Sequence, residues 1–224
     1  MTECINSEKM KVLVFDTETT GLPASRNVSI TETDKWPYIV QISWVLYDTD
    51  ERVPVEMVDH IIDCEVEIPE ESTKIHGITR RRASLRGIPI SAAMDDFDDV
   101  LQRADLVVAH NISFDKRVYM VEAIRRRRRQ YFTRDGVRKP EYCTMKNNKE
   151  RCAIQATNAK GDTYLKYPNL SELYEHVFGY RPKGTHDSMA DVLICLRCYV
   201  ALEYGYDILK THAKTARLFE LHCS

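Results

Sequence analysis

The feature that most constrains this chain is an apolar run that ends in two acids. Residues 12–23 read VLVFDTETTGLP, and Asp16 and Glu18 stand one residue apart where the run stops. On a β-strand, residues i and i+2 project from the same face, so both carboxylates would lie side by side while Thr17 points away. Two like charges this close repel each other unless one is protonated or a cation lies between them. If the strand ends earlier, both acids are solvated at its tip.

The remaining pattern predicts an α/β fold with a mixed central β-sheet flanked by helices. Three segments rich in β-branched and aromatic residues predict strands at 11–17, 38–48 and 55–64, and the polar link DTDERV predicts a hairpin between the last two. Further along, we predict a short helix over IPEESTKIHGI, a helix over 91–105, a strand over 105–110, a helix over 113–130, a strand over 141–145, an irregular segment, and helices over NLSELYEHVFG, DSMADVLICLRCYVALEYG and 207–220. Strands followed by alternating helices and strands indicate one mixed α/β domain.

Composition narrows the class of protein. The 224 residues include 32 basic and 34 acidic side chains, which excludes a uniformly basic nucleic-acid binder but permits a local basic patch. The N-terminus, MTECINSEKM, lacks the apolar segment of a secretory signal, and no stretch approaches the roughly 20 apolar residues of a membrane span. We therefore expect a cytoplasmic or nuclear location.

Cysteine usage fits the same expectation. The chain has seven cysteines, an odd number, which favours reduced thiols. Cys195 and Cys198 lie three residues apart in a helical pattern, with no second pair or nearby histidine to complete a zinc site. We interpret them as helix-packing thiols.

A third acid follows a different strand. Asp115, in VVAHNISFDKR, comes just after a short apolar strand and falls in the first turn of the next helix, with Ser113 as the expected N-cap. The helix dipole favours an acid in a first turn without any further role, so this position alone leaves both interpretations open.

A histidine and a fourth acid occur in GTHDSMADV. His186 and Asp191 are five residues apart, which places them about 140° apart on an ideal helix. A joint site therefore requires His186 in the loop before the helix, with Asp187 or Ser188 as the N-cap. The alternative is a surface histidine followed by one more first-turn acid.

Together these positions suggest a metal site. All lie at strand ends or helix starts, where α/β proteins gather their active sites. Four carboxylates without a cationic partner offer oxygen ligands for hard divalent cations, and two such ions roughly 3.5–4 Å apart can promote phosphodiester hydrolysis. A histidine free to reach the attacking water would serve as general base.

The segments FDTETTG, HNISFD and HDSMAD, in this order, resemble the three motifs of the DEDDh 3′–5′ exonucleases, relatives of the proofreading epsilon subunit of bacterial DNA polymerase III. The resemblance implies a ribonuclease H-like fold, two Mg²⁺ or Mn²⁺ ions, and release of 5′-mononucleotides from a 3′ end. By this resemblance the metal ligands are Asp16, Glu18, Asp115 and Asp191, and the catalytic histidine is His186. A tyrosine there would mark the sister DEDDy group.

The same resemblance suggests substrate-binding residues. TTGL places Thr19 near the terminal hydroxyl and Leu22 against a base, and KIHGIT places His76 and Ile78 at the border of the same pocket. Asn111 matches the asparagine before the second motif. For Leu22 and Ile78, ordinary packing is the alternative.

Two basic clusters are further candidates for contact with phosphate. Arg80, Arg81 and Arg82 follow the pocket segment directly. The run IRRRRRQ, residues 124–130, would sweep about 400° around a helix, so only Arg125 and Arg129 could face one strand of nucleic acid. A solvated face or a nuclear-import signal is the alternative for both clusters.

The expected organisation is an N-terminal tail over 1–10, an exonuclease domain over 11–204 with an insert-like region at 125–166, and a C-terminal helical tail over 205–224. We expect a 3′–5′ exonuclease acting on single-stranded or frayed DNA, with proofreading as one use and a DNA polymerase or replication complex as a partner. The alternatives are an exoribonuclease of the same class, a non-catalytic module that binds nucleic acid or a polymerase, and a small-molecule phosphohydrolase, which would need a closed pocket.

Overall fold

The computed structural model describes residues 9–223, so most of the expected tail over 1–10, and Ser224, lie outside the described residues. The strands, in chain order, are β1 Lys11–Thr19, β2 Ile39–Asp48, β3 Val53–Ile61, β4 Leu106–Ala109, β5 Thr133–Arg134, β6 Val137–Arg138, β7 Glu141–Cys143, β8 Gln155–Thr157 and β9 Thr163–Leu165. The helices are α1 Glu70–His76, α2 Arg80–Arg86, α3 Ile90–Arg103, α4 Ile112–Arg125, α5 Thr144–Asn147, α6 Lys149–Cys152, α7 Leu170–Phe178, α8 Ser188–Tyr204, α9 Ile208–Thr211 and α10 Ala213–Cys223.

The central sheet has five strands in the order β3-β2-β1-β4-β7. Strands β1, β2 and β3 form an antiparallel meander, whereas β4 pairs in parallel with both β1 and β7. The predicted mixed sheet with flanking helices is therefore confirmed. Because β1, β4 and β7 run in the same direction, their carboxyl ends meet at one edge of the sheet.

The two faces of β1 belong to two layers of the core. Leu13 and Phe15 pack in one buried cluster with side chains of α3 and α4, whereas Val12 and Val14 pack in a second cluster with side chains of α8. Since side chains alternate along a strand, residues 16 and 18 continue the α8 face and Thr17 continues the α4 face.

The structure corrects several predicted boundaries. The helix expected over 113–130 begins at Ile112 and ends at Arg125, and its N-cap is Asn111 rather than Ser113. Asn111 has φ 68° and ψ 43°, a left-handed conformation that asparagine tolerates better than most residues. The strand expected over 11–17 continues to Thr19 because β2 pairs with it throughout.

Three segments contain more regular structure than predicted. The basic cluster after the pocket segment forms α2, whose N-cap Thr79 accepts a hydrogen bond from the backbone of Arg82. The irregular segment after β7 contains α5, α6 and the β8–β9 hairpin. The segment expected as one helix over 207–220 is divided into α9 and α10 at His212.

Helix α10 packs into the core. Phe219 and Cys223 belong to the same buried cluster as Val12 and α8. Cys195 and Cys198 are buried in that cluster as unpaired thiols, as expected of packing residues. Within residues 9–223, no helix is both long and apolar enough to cross a lipid bilayer.

Candidate active site

Three carboxylates meet at the carboxyl end of β1. Asp16 and Glu18 project from the strand face that carries α8, and Asp191 lies in the first turn of α8. One oxygen from each of these three side chains lies within 4.8 Å of the others. The alternation that the sequence predicted thus brings two acids together, and the fold adds the third.

Hydrogen bonds fix the start of α8 against β1. Asp187, one of the two predicted caps, accepts from the backbone N–H of Ala190 at 3.2 Å. The fully buried Ser188 donates its hydroxyl to the backbone carbonyl of Asp16 at 2.8 Å. Ser188 therefore couples the position of Asp191 to that of Asp16. The sequence predicted Ser188 only as an alternative N-cap of the helix.

Asp115 approaches from the opposite face of β1. Its side chain is 3% exposed, and its Oδ1 accepts hydrogen bonds from the backbone N–H of Thr17 at 3.1 Å and from the Thr17 hydroxyl at 2.8 Å. Asp115 is thus anchored at the strand residue between Asp16 and Glu18. Sequence reasoning missed Thr17, which turns away from the other acids and towards Asp115.

Burial and mutual repulsion disfavour the ionised acids. Burial, then repulsion from Asp115 and Asp191, raises the pKa of Asp16 well above its ordinary value. Burial raises the pKa of Glu18 to about 8, with repulsion from Asp191 and Asp115 adding to the effect. The pKa values of Asp115 and Asp191 are raised to about 7, mainly by burial.

These residues fit divalent cations. Asp16, Glu18 and Asp191 form no ion pair within the described part of the chain, so no side chain neutralises them. Oδ1 of Asp191 is buried and has no hydrogen-bond partner among residues 9–223. A buried, unpaired carboxylate oxygen is costly unless something binds it, and carboxylate oxygens are the ligands that Mg²⁺ and Mn²⁺ prefer.

His186 lies in the loop before α8, as the joint site requires. It is exposed, has φ 72°, and its backbone N–H donates to Asp191 Oδ2 at 3.2 Å. The carbonyl of His222, at the end of α10, supports this loop, since a Cβ on Gly184 would lie 2.4 Å from that oxygen. The C-terminal helix and the His186 loop are therefore in direct contact.

The residues expected to bind substrate have different surroundings. Leu22 is 81% exposed and free to contact a ligand, and the buried His76 lies against the backbone of Thr19. The Thr19 hydroxyl donates to the carbonyl of Gly21 at 2.7 Å. Ile78 is 1% exposed and packs with Val40, so its side chain does not reach the surface.

Asn111 and the residue before it form the turn between β4 and α4. Asn111 is half-buried, and its side chain makes no capping hydrogen bond to the helix. His110 binds Thr144 Oγ1 through Nδ1 at 3.0 Å and the carbonyl of Pro168 through Nε2 at 3.1 Å. Burial lowers the pKa of His110 to about 4, so its ring is neutral and links this turn to the segment after β7.

The three arginines at positions 80–82 differ in their contacts. Arg80 forms an ion pair with Asp63 at 2.8 Å, which occupies its guanidinium. Arg81 is exposed and Arg82 half-buried, and the charge of Arg82 helps to lower the pKa of His76, after the larger effect of burial. Within residues 9–223, Arg81 and Arg82 form no ion pair.

The arginine run at 125–129 has mainly structural contacts. Arg125 donates to the carbonyls of Thr33, Trp36 and Pro37 and to the carboxylate of Glu122. Arg126 also pairs with Glu122, and Arg128 pairs with Asp95 and Asp98.

The prediction that Arg125 and Arg129 could face one strand of nucleic acid from the same side of a helix is wrong. The helix ends at Arg125, before the rest of the run. Arg125 points into the protein, while Arg129 contacts the Tyr131 ring.

A mixed five-stranded sheet with clustered acids at the carboxyl end of its central strand defines a nuclease-like α/β fold. The sequence model of the RNase T exonuclease family matches residues 13–199, and the chain belongs to this family. A DNA polymerase III subunit epsilon-like protein of Rhodobacter capsulatus is 34% identical over 108 residues, which cover 48% of this chain and 14% of that protein.

Solved structures share the fold. Exonuclease I of E. coli in complex with a dT13 oligonucleotide superposes with a TM-score of 0.64 at 16% identity, over 88% of this chain and 42% of that one. Exonuclease I of Methylocaldum szegediense gives a TM-score of 0.59 at 18% identity, over 88% and 41%. The fold is therefore ribonuclease H-like, and this chain spans less than half the length of these relatives.

Proposed function

We propose that this protein is a 3′–5′ exonuclease that uses two divalent cations to hydrolyse phosphodiester bonds and releases 5′-mononucleotides. The observation that carries the proposal is the cluster of Asp16, Glu18 and Asp191, in which one oxygen from each side chain lies within 4.8 Å of the others and Oδ1 of Asp191 is buried without a partner among the described residues. Asp115 and His186 lie at its margins.

Each residue has a role in this proposal. Asp16, Glu18, Asp115 and Asp191 would hold Mg²⁺ or Mn²⁺, which would activate a water molecule and stabilise the leaving oxygen. His186, exposed beside Asp191, would accept the proton of the attacking water. Asn111, Leu22, His76 and the Thr19 backbone would bind the terminal nucleotide, with Arg81 and Arg82 close to its phosphates.

The preferred substrate is single-stranded or frayed DNA. Support comes from the likeness to a fold that binds a dT13 oligonucleotide in E. coli Exonuclease I. The match to a polymerase III epsilon-like protein supports a polymerase or replication complex as a partner, with proofreading as one use.

The test uses a 5′-labelled single-stranded DNA oligonucleotide and its RNA counterpart, each with Mg²⁺ and with EDTA. We expect a ladder that shortens from the 3′ end, is faster on DNA, and is lost with EDTA or in Asp16→Asn. Asp34→Asn, which changes an exposed acid away from the cluster, is the matched control and should leave the ladder intact. No ladder with binding retained would favour a non-catalytic module, and a faster RNA ladder would favour an exoribonuclease.

A further inference from the structure

One segment of the chain leaves the sheet beside the site and returns to it. We call residues 144–168 the arm. It begins directly after β7 and contains α5, α6 and the β8–β9 hairpin. Both of its ends bind His110, through the Thr144 hydroxyl at 3.0 Å and the Pro168 carbonyl at 3.1 Å. Since His110 precedes Asn111, the base of the arm is fixed next to the turn that leads to Asp115.

The arm differs in charge from the rest of the chain. It has five basic and two acidic side chains, whereas the whole chain has 32 and 34. Lys166 is paired with Glu172, but Arg151 and Lys160 are exposed and form no ion pair within the described part of the chain. A basic segment on a weakly acidic protein attracts an anionic ligand locally.

An aromatic ring and a cation lie together at the base of the arm. The ammonium group of Lys149 lies 5.2 Å from the centre of the Tyr167 ring, and Tyr167 is 49% exposed. Tyr167 immediately precedes Pro168, so it is the aromatic residue of the arm closest to the His110 anchor along the chain. Exposed rings beside cations supply the base-stacking and phosphate contacts by which proteins bind single-stranded nucleic acid.

The strand order places this pair on the far side of the carboxylates from the nucleotide pocket. The pocket residues Thr19 and Leu22 follow β1 where it pairs with β2, whereas the arm follows β7, beyond β4. The carboxylates of β1 and the start of α4 lie between the two. A strand whose 3′ end occupied the pocket would cross the carboxylates and leave towards the arm.

We propose that the arm binds single-stranded nucleic acid on the 5′ side of the scissile phosphodiester, with a base stacked on Tyr167 and a phosphate bound by Lys149. The proposal rests on the proposed exonuclease function and adds a second binding region to it. In this proposal the arm raises the affinity for long strands. A substrate too short to reach the arm would bind equally well with or without it.

The hairpin provides a matched control. Tyr164 is 50% exposed, almost the same as Tyr167. The backbone of Lys166 continues the hairpin ladder by donating to Ile154, so residues three apart in this extended segment face opposite sides. Tyr164 therefore has the same chemistry and exposure as Tyr167 on the other face.

The experiment measures binding and cleavage separately. Binding of a fluorescent 12-nucleotide DNA strand and of a dinucleotide is measured in EDTA by anisotropy, so the result does not depend on catalysis. We expect Tyr167→Ala to weaken binding of the long strand about 5- to 150-fold, the loss of one stacked base, and to leave dinucleotide binding unchanged. Tyr167→Phe and Tyr164→Ala should bind both ligands as the unaltered protein does.

Lys149 gives an independent measurement. Replacing Lys149 by Gln should reduce the slope of log affinity against log salt concentration by about 0.7 for the long strand, as expected for one lost phosphate contact. Equal effects of Tyr167→Ala and Tyr164→Ala, no effect of Tyr167→Ala, or an unchanged salt slope in Lys149→Gln would overturn the proposal. Loss of cleavage with normal arm-dependent binding would instead count against the exonuclease function alone.

Discussion

The two oxygens of Asp191 have different surroundings. Oδ2 accepts from the backbone of His186 at 3.2 Å, whereas Oδ1 is buried and has no partner among the described residues. The side chain therefore couples the His186 loop to the carboxylate cluster through one oxygen, and the other is the oxygen that would bind a cation in the proposed function.

This asymmetry predicts the effect of replacing Asp191 by Asn. The amide keeps the shape of the side chain but removes the charge, so we expect at least a 100-fold loss of kcat because cation binding is weakened. The melting temperature in EDTA at pH 8 should rise, since one repelling charge has gone. Steady-state kinetics and thermal unfolding measure the two effects. An unchanged kcat would exclude Asp191 as a ligand.

The raised pKa values predict how stability depends on pH. In the folded protein, burial raises the pKa of Glu18 to about 8 and the pKa values of Asp115 and Asp191 to about 7, whereas carboxyl groups of the unfolded chain have a pKa of about 4. Between these values the unfolded chain releases protons that the folded protein retains, so stability present at low pH is lost as pH rises towards 8.

We therefore expect the melting temperature in EDTA to fall by several degrees between pH 5 and pH 8. Saturating Mg²⁺ should remove most of this fall because it binds the ionised cluster. Asp191→Asn in EDTA should show a smaller fall than Asp34→Asn. A melting temperature that rises over the same range in EDTA would contradict the raised pKa values.

At the residue scale, the sequence predicts what depends on local geometry. The side-by-side placement of Asp16 and Glu18 follows from strand alternation, and the cap at Asp187 follows from local helix signals. The hydrogen bond between Thr17 and Asp115 joins residues 98 positions apart, so no local sequence pattern could predict it. The burial of Ile78 likewise depends on its packing against Val40.

At the scale of elements, a buried ion pair within helix α4 binds the segment before β2 and the start of β2 through hydrogen bonds. Glu122 is 1% exposed, and its Oε1 accepts from Arg125 at 2.9 Å and from the backbone of Ile39 at 3.3 Å. Arg125 also binds three carbonyls of residues 33–37 and lies 3.7 Å from the centre of the Tyr38 ring. The backbone of Tyr38 in turn forms hydrogen bonds with Thr20, directly after β1.

Arg125→Ala should therefore be strongly destabilising. It would leave the Glu122 carboxylate and three backbone carbonyls partly unpaired, and we expect a cost of about 3–5 kcal/mol in the free energy of unfolding. Arg129→Ala is the control from the same run. Arg129 is exposed, forms no ion pair with residues 9–223, and lies 5.5 Å from the centre of the Tyr131 ring, so its loss should cost less than about 1 kcal/mol. Urea unfolding measures the free energy of unfolding of both variants. Equal losses would contradict the role of Arg125 as the residue that anchors α4.

The contacts of Arg125 also explain why the helix predicted over 113–130 is longer than the observed helix, which ends at Arg125. Arginine favours helices, and a run of arginines gives no signal to stop. The helix ends where the Arg125 side chain bonds to the loop before β2, a tertiary contact that no local pattern contains. Arg127 there adopts φ 53°, and the backbone N–H of Arg128 donates to the carbonyl of Ala123 at 2.8 Å.

Gly184 offers a test of the contact between α10 and the His186 loop. Gly184 has φ +74°, and a Cβ there would lie 2.4 Å from the His222 carbonyl. Gly136 has φ +79° with nothing within 4 Å of its would-be Cβ. Alanine at Gly136 should cost about 1 kcal/mol from backbone strain alone and leave kcat unchanged. Alanine at Gly184 should cost more and also lower kcat, because the displaced loop carries His186. Equal effects on stability and kcat would show that the contact has no role.

At the scale of the whole molecule, the site exists because parallel strands end at one edge of the sheet. The sequence predicts a mixed sheet from its order of strands and helices, and it predicts the three segments that carry the acids. It does not predict that β7 lies beyond β4, or that the arm is fixed to His110, because these depend on strand pairing between distant residues.

The family match ends at residue 199, but the buried core does not. Helix α10 covers α8 through Phe219 and Cys223, and the Cys223 thiol lies 3.8 Å from the carbonyl of Ala190. The support of the His186 loop thus comes from a helix outside the matched region.

Only Thr215, Phe219 and Cys223 of α10 are buried, so α10 should detach at a lower free-energy cost than the central strands, while the sheet is still folded. The His186 loop would then lose its support from the His222 carbonyl, with the carboxylates still in place. On gentle heating we expect activity to disappear several degrees below the melting of the sheet measured by circular dichroism, and to return on cooling. In this molecule the temperature limit of catalysis would be set by α10, and the temperature limit of the fold by its central sheet.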